Sequence, residues 1–149
     1  MHHLPNLNEL LQYRNSKVIN KFKRDFPALA DQAEPLFTEL MKYLWLAQKH
    51  ANDQLLHPVD NDLRFLFAIY DDMVNVDHMW HCFILSTHEY DSFCQTYFGR
   101  FLHHIPDALD ELPPTKEDLA EDMGKFASYV FDNLGEATVR NWFGMQASE

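Results

Sequence analysis

The sequence is poor in cysteine and glycine, and it has no long apolar run. Its two cysteines, Cys82 and Cys94, lie about 18 Å apart if one helix carries both, so they cannot form a disulfide with each other. Four glycines spread over 149 residues provide no glycine-rich loop for phosphate binding. The longest apolar run, Phe65 to Tyr70, is too short to cross a bilayer. We therefore expect a protein with two free thiols that is cytoplasmic, with delivery to another compartment by a signal that the sequence does not reveal as the alternative.

Basic residues are also scarce, with 12 Lys and Arg against 23 Asp and Glu and a formal charge of −11. Such a charge repels phosphate backbones and anionic lipid surfaces, so we expect neither nucleic acid nor membrane as a partner. It favours solubility, and it would also suit a regulator that docks a basic protein. Binding of that kind would weaken with added salt, because exposed charges are screened within about 8 Å at physiological ionic strength.

Apolar residues are plentiful, at 46% of the chain with 14% aromatic. A chain of this length buries roughly 68–70% of the surface that its unfolded form exposes, which is enough for one core. We therefore predict a single domain over residues 1–149.

The apolar residues recur at helical spacing through most of the chain. Two short N-terminal helices are predicted, with Asn15 or Ser16 as the cap between them, followed by an amphipathic helix that ends at about Lys49. Residues His50 to Asp62 are predicted to form a loop, and the run from Leu63 to Tyr70 fits either a helix or a strand, with helix favoured. After a linker over Pro106 to Thr115, two more helices are predicted at about 115–133 and 136–144. The predicted fold is all-α, a compact bundle of about six helices with a long central helix at about 76–98, ended by Gly99 in the left-handed conformation.

The central helix contains the chemically active residues. Residues Val76 to His104 include five of the nine histidines and both cysteines. At about 100° per residue, Asp77, His81 and His88 fall on one stripe beside the apolar face that contains Trp80. His103 and His104 follow in an extended segment, where adjacent side chains point to opposite sides. One of them, with His104 favoured over His103, would turn back towards His81.

Three interpretations of this stripe stay open. His81 is a core histidine hydrogen-bonded to Asp77, with a purely structural role. Alternatively, Asp77, His81 and His104, with His88 as a further candidate, bind zinc or another divalent metal. In the third interpretation the metal activates water in a hydrolase, with Glu89 as base, although Glu89 lies on a different stripe.

The remaining reactive side chains have simpler predicted roles. Cys82 and Cys94 are expected to be buried as small hydrophobic residues. Four further histidines stand in polar surroundings and are expected to be solvated: His2, His3, His50 and His57.

The pattern of Asp77, Trp80, His81, Thr87, Tyr90, Gly99 and His104 resembles the helical domain of plant glycine-rich domain-containing proteins, and more so its small bacterial stand-alone relatives. The chain has Phe83 and Thr87 where plant members have His and Pro. The resemblance covers about thirty residues and implies no reaction. It implies that a set of residues belongs together as a structural or binding cluster: Asp77, Trp80, His81, Tyr90 and His104.

The sequence therefore predicts a binding or interaction module with an Asp/His/Trp polar cluster beside its core. In this interpretation the cluster holds the segment after Gly99 against the central helix. A divalent-metal-binding protein or a metal-dependent hydrolase using the same cluster is the alternative.

Overall fold

The computed structural model describes residues 1–105, 111 and 113–144. The described residues form α-helices, short 3₁₀ turns and irregular segments, with no β-strand among them, so the all-α prediction is confirmed. The α-helices are α1 (Leu7–Gln12), α2 (Ser16–Asp25), α3 (Ala33–Leu56), α4 (Val74–Leu85), α5 (Thr87–Phe98), α6 (Lys116–Leu134) and α7 (Glu136–Phe143).

The two N-terminal helices begin at asparagine caps, as predicted for the second of them. The Asn6 side chain accepts a hydrogen bond from the backbone of Glu9 at the start of α1. The Asn15 side chain accepts from the backbone N–H groups of Lys17 and Val18 at the start of α2. Each cap satisfies amide groups that have no partner inside the helix, and this fixes where the helix begins.

Helix α3 is the longest described helix, at 24 residues, and it continues beyond the predicted end at Lys49. The predicted loop over His50 to Asp62 is therefore wrong for its first seven residues, which belong to α3. Three of the polar residues here, Gln48, His50 and Asn52, are buried, and Gln48 donates a side-chain hydrogen bond to Asn52 one turn later. Polar composition suggested a loop, whereas the packing of these side chains keeps the segment helical.

The run from Leu63 to Tyr70 was favoured as a helix, and this prediction is wrong. Only Leu63 lies in a 3₁₀ turn, and residues 64–70 form neither helix nor strand. The aromatic rings of Phe65 and Phe67 pack against Phe126 of α6, with centroids 5.3 and 4.6 Å away. The backbone N–H of Leu66 donates to the Asp122 carboxylate, so a side chain supplies the partner that a helix would have supplied.

The predicted central helix over 76–98 is divided at Ser86 into α4 and α5. Ser86 has the non-helical backbone angles φ −85° and ψ 68°, and its hydroxyl donates to the Cys82 carbonyl. Serine competes with the helix by bonding to nearby backbone groups in this way. The two halves contact each other, and the Phe83 ring of α4 meets the Tyr90 ring of α5 edge-on at 5.0 Å.

The described chain divides into two compact units. The α4–α5 unit comprises residues 2–45 and 74–103, and its core contains Phe22, Phe37, Phe83, Tyr90 and Phe93. The α6–α7 unit comprises Met1, Leu46–Met73 and His104–Glu149, and Phe126, Val130 and Trp142 are buried in it. The single domain over 1–149 stays a prediction.

Most of the predicted linker over Pro106 to Thr115 lies outside the described residues. The two final helices are confirmed as α6 and α7. No helix in the described parts of the chain combines the length and apolar character needed to span a membrane.

Candidate metal centre

Helix α4 places Asp77 and His81 one turn apart on one side of the helix. Asp77 lies in the first turn of α4, and its Oδ2 is 3.7 Å from Nδ1 of His81. The His81 side chain is 51% exposed and that of Asp77 is 24% exposed. A carboxylate oxygen and an imidazole nitrogen thus lie side by side within reach of solvent.

Helix α5 ends as predicted at Gly99, which has φ 71° in the left-handed region. The chain then continues as a non-helical segment over 100–105 that is held by Tyr90 of α5. The Tyr90 hydroxyl donates to the backbone carbonyl of Leu102 and accepts a hydrogen bond from the Trp80 indole N–H at 3.0 Å. The Phe101 ring meets the Tyr90 ring edge-on, with centroids 5.2 Å apart. Tyr90 therefore fixes the path of the chain two residues before His104.

His104 follows this anchored point and comes close to the α4 pair. One ligand atom each from Asp77, His81 and His104 lies within 4.8 Å of the other two. The division between the units falls between His103 and His104, so His104 is attached directly to the segment that Tyr90 holds. His103 is exposed instead, and its ring lies against Phe101 at 4.9 Å.

The residues grouped by sequence separate into a buried part and an exposed part. Tyr90 is fully buried and Trp80 is 7% exposed, and their hydrogen bonds connect α4, α5 and the following segment. Burial raises the pKa of the Tyr90 phenol, which stays protonated and able to donate. His81 is exposed, so it is not buried in the core as the first interpretation expected, and its structural role stays a prediction. Trp80 and Tyr90 form the buried part of the cluster, whereas His81 is exposed and Asp77 and His104 are half-buried.

Other predicted site residues lie apart from this group. His88 is exposed on α5, and the break at Ser86 removes it from the helical stripe of Asp77 and His81. The Glu89 carboxylate pairs with Lys17 at 3.1 Å and accepts a hydrogen bond from Asn15 at 3.2 Å. These two partners, Lys17 first, lower the pKa of Glu89, which makes it a weak base.

Both cysteines are buried and unpaired with each other, as predicted. Burial raises the pKa of the Cys82 thiol and of the Cys94 thiol, so neither has the thiolate character of a nucleophile. The Cys82 Sγ lies 4.0 Å from the Asp25 carboxylate, where a thiol proton can be donated.

The prediction of a solvated His50 is wrong, whereas His2, His3 and His57 are exposed as predicted. His50 is 5% exposed, stacks on the Phe65 ring with centroids 4.2 Å apart, and lies 2.8 Å from the Leu63 carbonyl oxygen through Nε2. Burial lowers the pKa of His50, which favours the neutral ring. The aromatic run beginning at Phe65 was the sequence feature that could have indicated a buried partner for His50. Its contact with His50 depends on the fold.

A second concave feature lies wholly within the α6–α7 unit. It is a cleft of about 820 Å³ whose wall includes five carboxylates: Asp53, Asp60, Asp62, Glu121 and Asp132. Its two lysines are paired with carboxylates of the same wall, Lys49 with Asp53 at 2.6 Å and Lys125 with Glu121 at 3.5 Å. The cleft is therefore net acidic.

The hydroxyl of Tyr129 also donates to Asp53, at 2.6 Å, on the wall of this cleft. Burial would raise the pKa of Asp53, but the hydrogen bonds from Lys49 and Tyr129 together lower it. Burial and the Asp53 charge raise the pKa of Tyr129. The three side chains thus form a connected polar network in the α6–α7 unit.

The fold and the surface cluster define an all-α protein with a candidate metal centre of one carboxylate and two imidazoles. A family model described as UCP032817-like matches residues 9–120, about three quarters of the chain, and the chain belongs to that family. No biochemical role is attached to the family, and the match neither supports nor opposes the resemblance to glycine-rich domain-containing proteins. No curated protein and no solved structure matches the chain.

Proposed function

We propose that this protein binds a divalent transition-metal ion through Asp77, His81 and His104. The observation that supports this function is the convergence of three ligand-type atoms within 4.8 Å of one another. Two of these residues come from one helix, and the third comes from a non-helical segment 23 positions further along the chain.

The donor types suit zinc or a neighbouring transition metal. Zinc takes imidazole nitrogen and carboxylate oxygen at about 2.0–2.2 Å, which places ligand atoms of a tetrahedral site about 3.4 Å apart. The Asp77 and His81 atoms are already 3.7 Å apart. The group therefore needs a contraction of about 1.4 Å or less, which is within the range of small side-chain rotations.

The ion would bind to residues whose backbone is already held in place. Asp77 and His81 belong to α4, and His104 follows the Leu102 carbonyl that Tyr90 anchors. This preorganisation lowers the entropy cost of collecting three ligands. The protein is then a binding module whose ligand is a metal ion, and the ion joins α4 to the segment after α5.

Elemental mass spectrometry tests this proposal on protein purified without a histidine tag or added metal. We expect about one equivalent of a transition metal in the wild type and none in His81→Ala. His88→Ala is the matched control, because His88 is an exposed histidine outside the group and its loss should leave the metal content unchanged.

Metal supply during expression can hide a real site, so the same variants should be titrated with zinc by calorimetry. Binding to the wild type and to His88→Ala, but not to His81→Ala or His104→Ala, supports the proposal. Equal zinc binding by all four proteins would contradict it, because the ion would then sit elsewhere. No binding by any of them would also contradict it.

The acidic cleft of the α6–α7 unit favours a second function, the docking of a basic protein partner. Asp60, Asp62 and Asp132 add negative charge to a wall whose two lysines are already ion-paired. A positively charged surface would be attracted to this wall, and rim charges of this kind mainly affect association rate and salt dependence.

Binding to an immobilised lysine-rich peptide tests this second function. We expect binding to weaken steeply with added salt and to drop in an Asp60→Asn, Asp62→Asn, Asp132→Asn variant. The matched control, Asp31→Asn, Asp91→Asn, Asp118→Asn, removes the same number of exposed carboxylates outside the cleft wall. Equal loss in the control would show a general charge effect and would refute a role for the cleft.

A further inference from the structure

The three donors do not complete the coordination of a transition metal. Structural zinc sites are four-coordinate with four protein ligands, whereas three protein ligands plus water or substrate mark sites with an open position. Among the described residues, the group of convergent His, Cys, Asp and Glu atoms contains Asp77, His81 and His104. A bound ion would therefore need at least one further ligand.

Four other strong donors of the same stretch are engaged elsewhere. The Cys82 thiol is directed to Asp25, and Cys94 is fully buried in the core. The Glu89 carboxylate pairs with Lys17, and the His103 ring lies against Phe101. These side chains therefore do not supply the missing ligand in the described arrangement.

The exposure of the cluster leaves room for a ligand from solution. The His81 side chain is 51% exposed, so this side of the site faces water. A divalent cation with one carboxylate and two neutral imidazoles carries a net charge of +1, and a small anion is attracted to it. The protein's overall charge of −11 opposes larger polyanions.

We propose that the metal bound by Asp77, His81 and His104 keeps a coordination position open to solvent, and that this position takes a small monoanionic oxygen-donor ligand of the carboxylate or hydroxamate class. The inference rests on the proposed metal function and adds to it the coordination state and the ligand class. Metal ions with an open position exchange ligands with the solvent. Here the open position follows from the donor count and from the exposure of His81.

Cobalt(II) tests the metal site and its open position separately. Its visible absorption bands report bound metal, and they also change with the ligands around the ion. Wild type and the control His88→Ala are loaded with cobalt and titrated with acetohydroxamate, with acetate as a weaker probe. We expect bands that are absent in His81→Ala, and a saturable change on titration with one acetohydroxamate per cobalt. Elemental analysis after gel filtration checks that the metal is retained.

Different results would contradict the proposed metal binding and the proposed open position. If cobalt does not bind, the proposed function and this inference both fail. If cobalt binds and the bands do not respond to acetohydroxamate, the site is not open and only this inference fails. The same conclusion follows if the probe merely removes the metal from the protein.

Discussion

The strongest structural prediction concerns Tyr90, because its hydroxyl connects α5 to α4 and to the segment after Gly99. The perturbation is Tyr90→Phe, which removes the oxygen and keeps the ring in its fully buried site. The hydroxyl accepts from the Trp80 indole and donates to the Leu102 carbonyl. The ring contacts with Phe83 and Phe101 are preserved in the variant, so the change isolates the two hydrogen bonds.

The magnitude follows from those two bonds. Each is worth about 0.5–1.5 kcal/mol net, so the variant should lose about 1–3 kcal/mol of unfolding free energy. In a chain of this size each kcal/mol corresponds to a shift of about 2–4 °C in melting temperature. Urea unfolding of metal-free protein measures the loss without a contribution from bound metal.

A matched control and a second readout sharpen the test. Tyr97→Phe removes a hydroxyl from a half-buried tyrosine of the same helix, and we expect a change within about 0.5 kcal/mol. Tyr90→Phe should also weaken zinc binding, because the segment leading to His104 loses its anchor at Leu102. Equal stability of the two variants, with unchanged zinc affinity, would refute the assignment of Tyr90 as this anchor.

Four further outcomes are expected. In metal-free protein, His81→Ala should change the unfolding free energy by no more than about 0.5 kcal/mol, because His81 is exposed; a large loss in urea unfolding would restore its structural role. Zinc at 100 times its dissociation constant should stabilise the wild type by about 2.7 kcal/mol in thermal unfolding and leave the stability of His104→Ala unchanged. Equal stabilisation of the two proteins would mean that the ion binds elsewhere. Burial lowers the pKa of His50 from 6.5, so on acidification the unfolded chain takes up a proton on this histidine before the folded chain does, and the unfolding free energy should fall below about pH 6.5. Unfolding measured at several pH values should show a smaller fall in His50→Phe. The same pH profile in the variant and the wild type would contradict this. Tyr129→Phe removes a hydrogen bond to the charged Asp53 carboxylate, so it should lower the unfolding free energy by about 1.5–3 kcal/mol in urea at neutral pH and raise the pKa of Asp53. An unchanged titration of Asp53 by NMR would count against the network.

The sequence determined the features that depend on local spacing. Helical periodicity indicated an all-α fold, and the interval of four residues placed Asp77 and His81 on one side of a helix. Gly99 predicted the end of α5, because glycine adopts a positive φ without a Cβ penalty. Asn15 predicted the start of α2 for a similarly local reason, because its side-chain oxygen accepts hydrogen bonds from backbone N–H groups in the first turn of the helix.

The tertiary structure decided the features that depend on contacts between distant residues. The helix predicted over 76–98 divides at Ser86, and this break separates His88 from Asp77 and His81. His50 reads as a solvated loop residue by composition, yet it is buried against Phe65, which lies 15 positions later in the chain.

The candidate metal centre combines both kinds of information. Asp77 and His81 share a helix turn, so their proximity follows from sequence alone. His104 joins them because Tyr90 holds the Leu102 carbonyl, and the side chain that makes this bond is itself positioned by core packing. Local spacing fixes neighbours along one helix, whereas a ligand contributed by a non-helical segment is fixed only by the hydrogen bonds and ring contacts that anchor the segment.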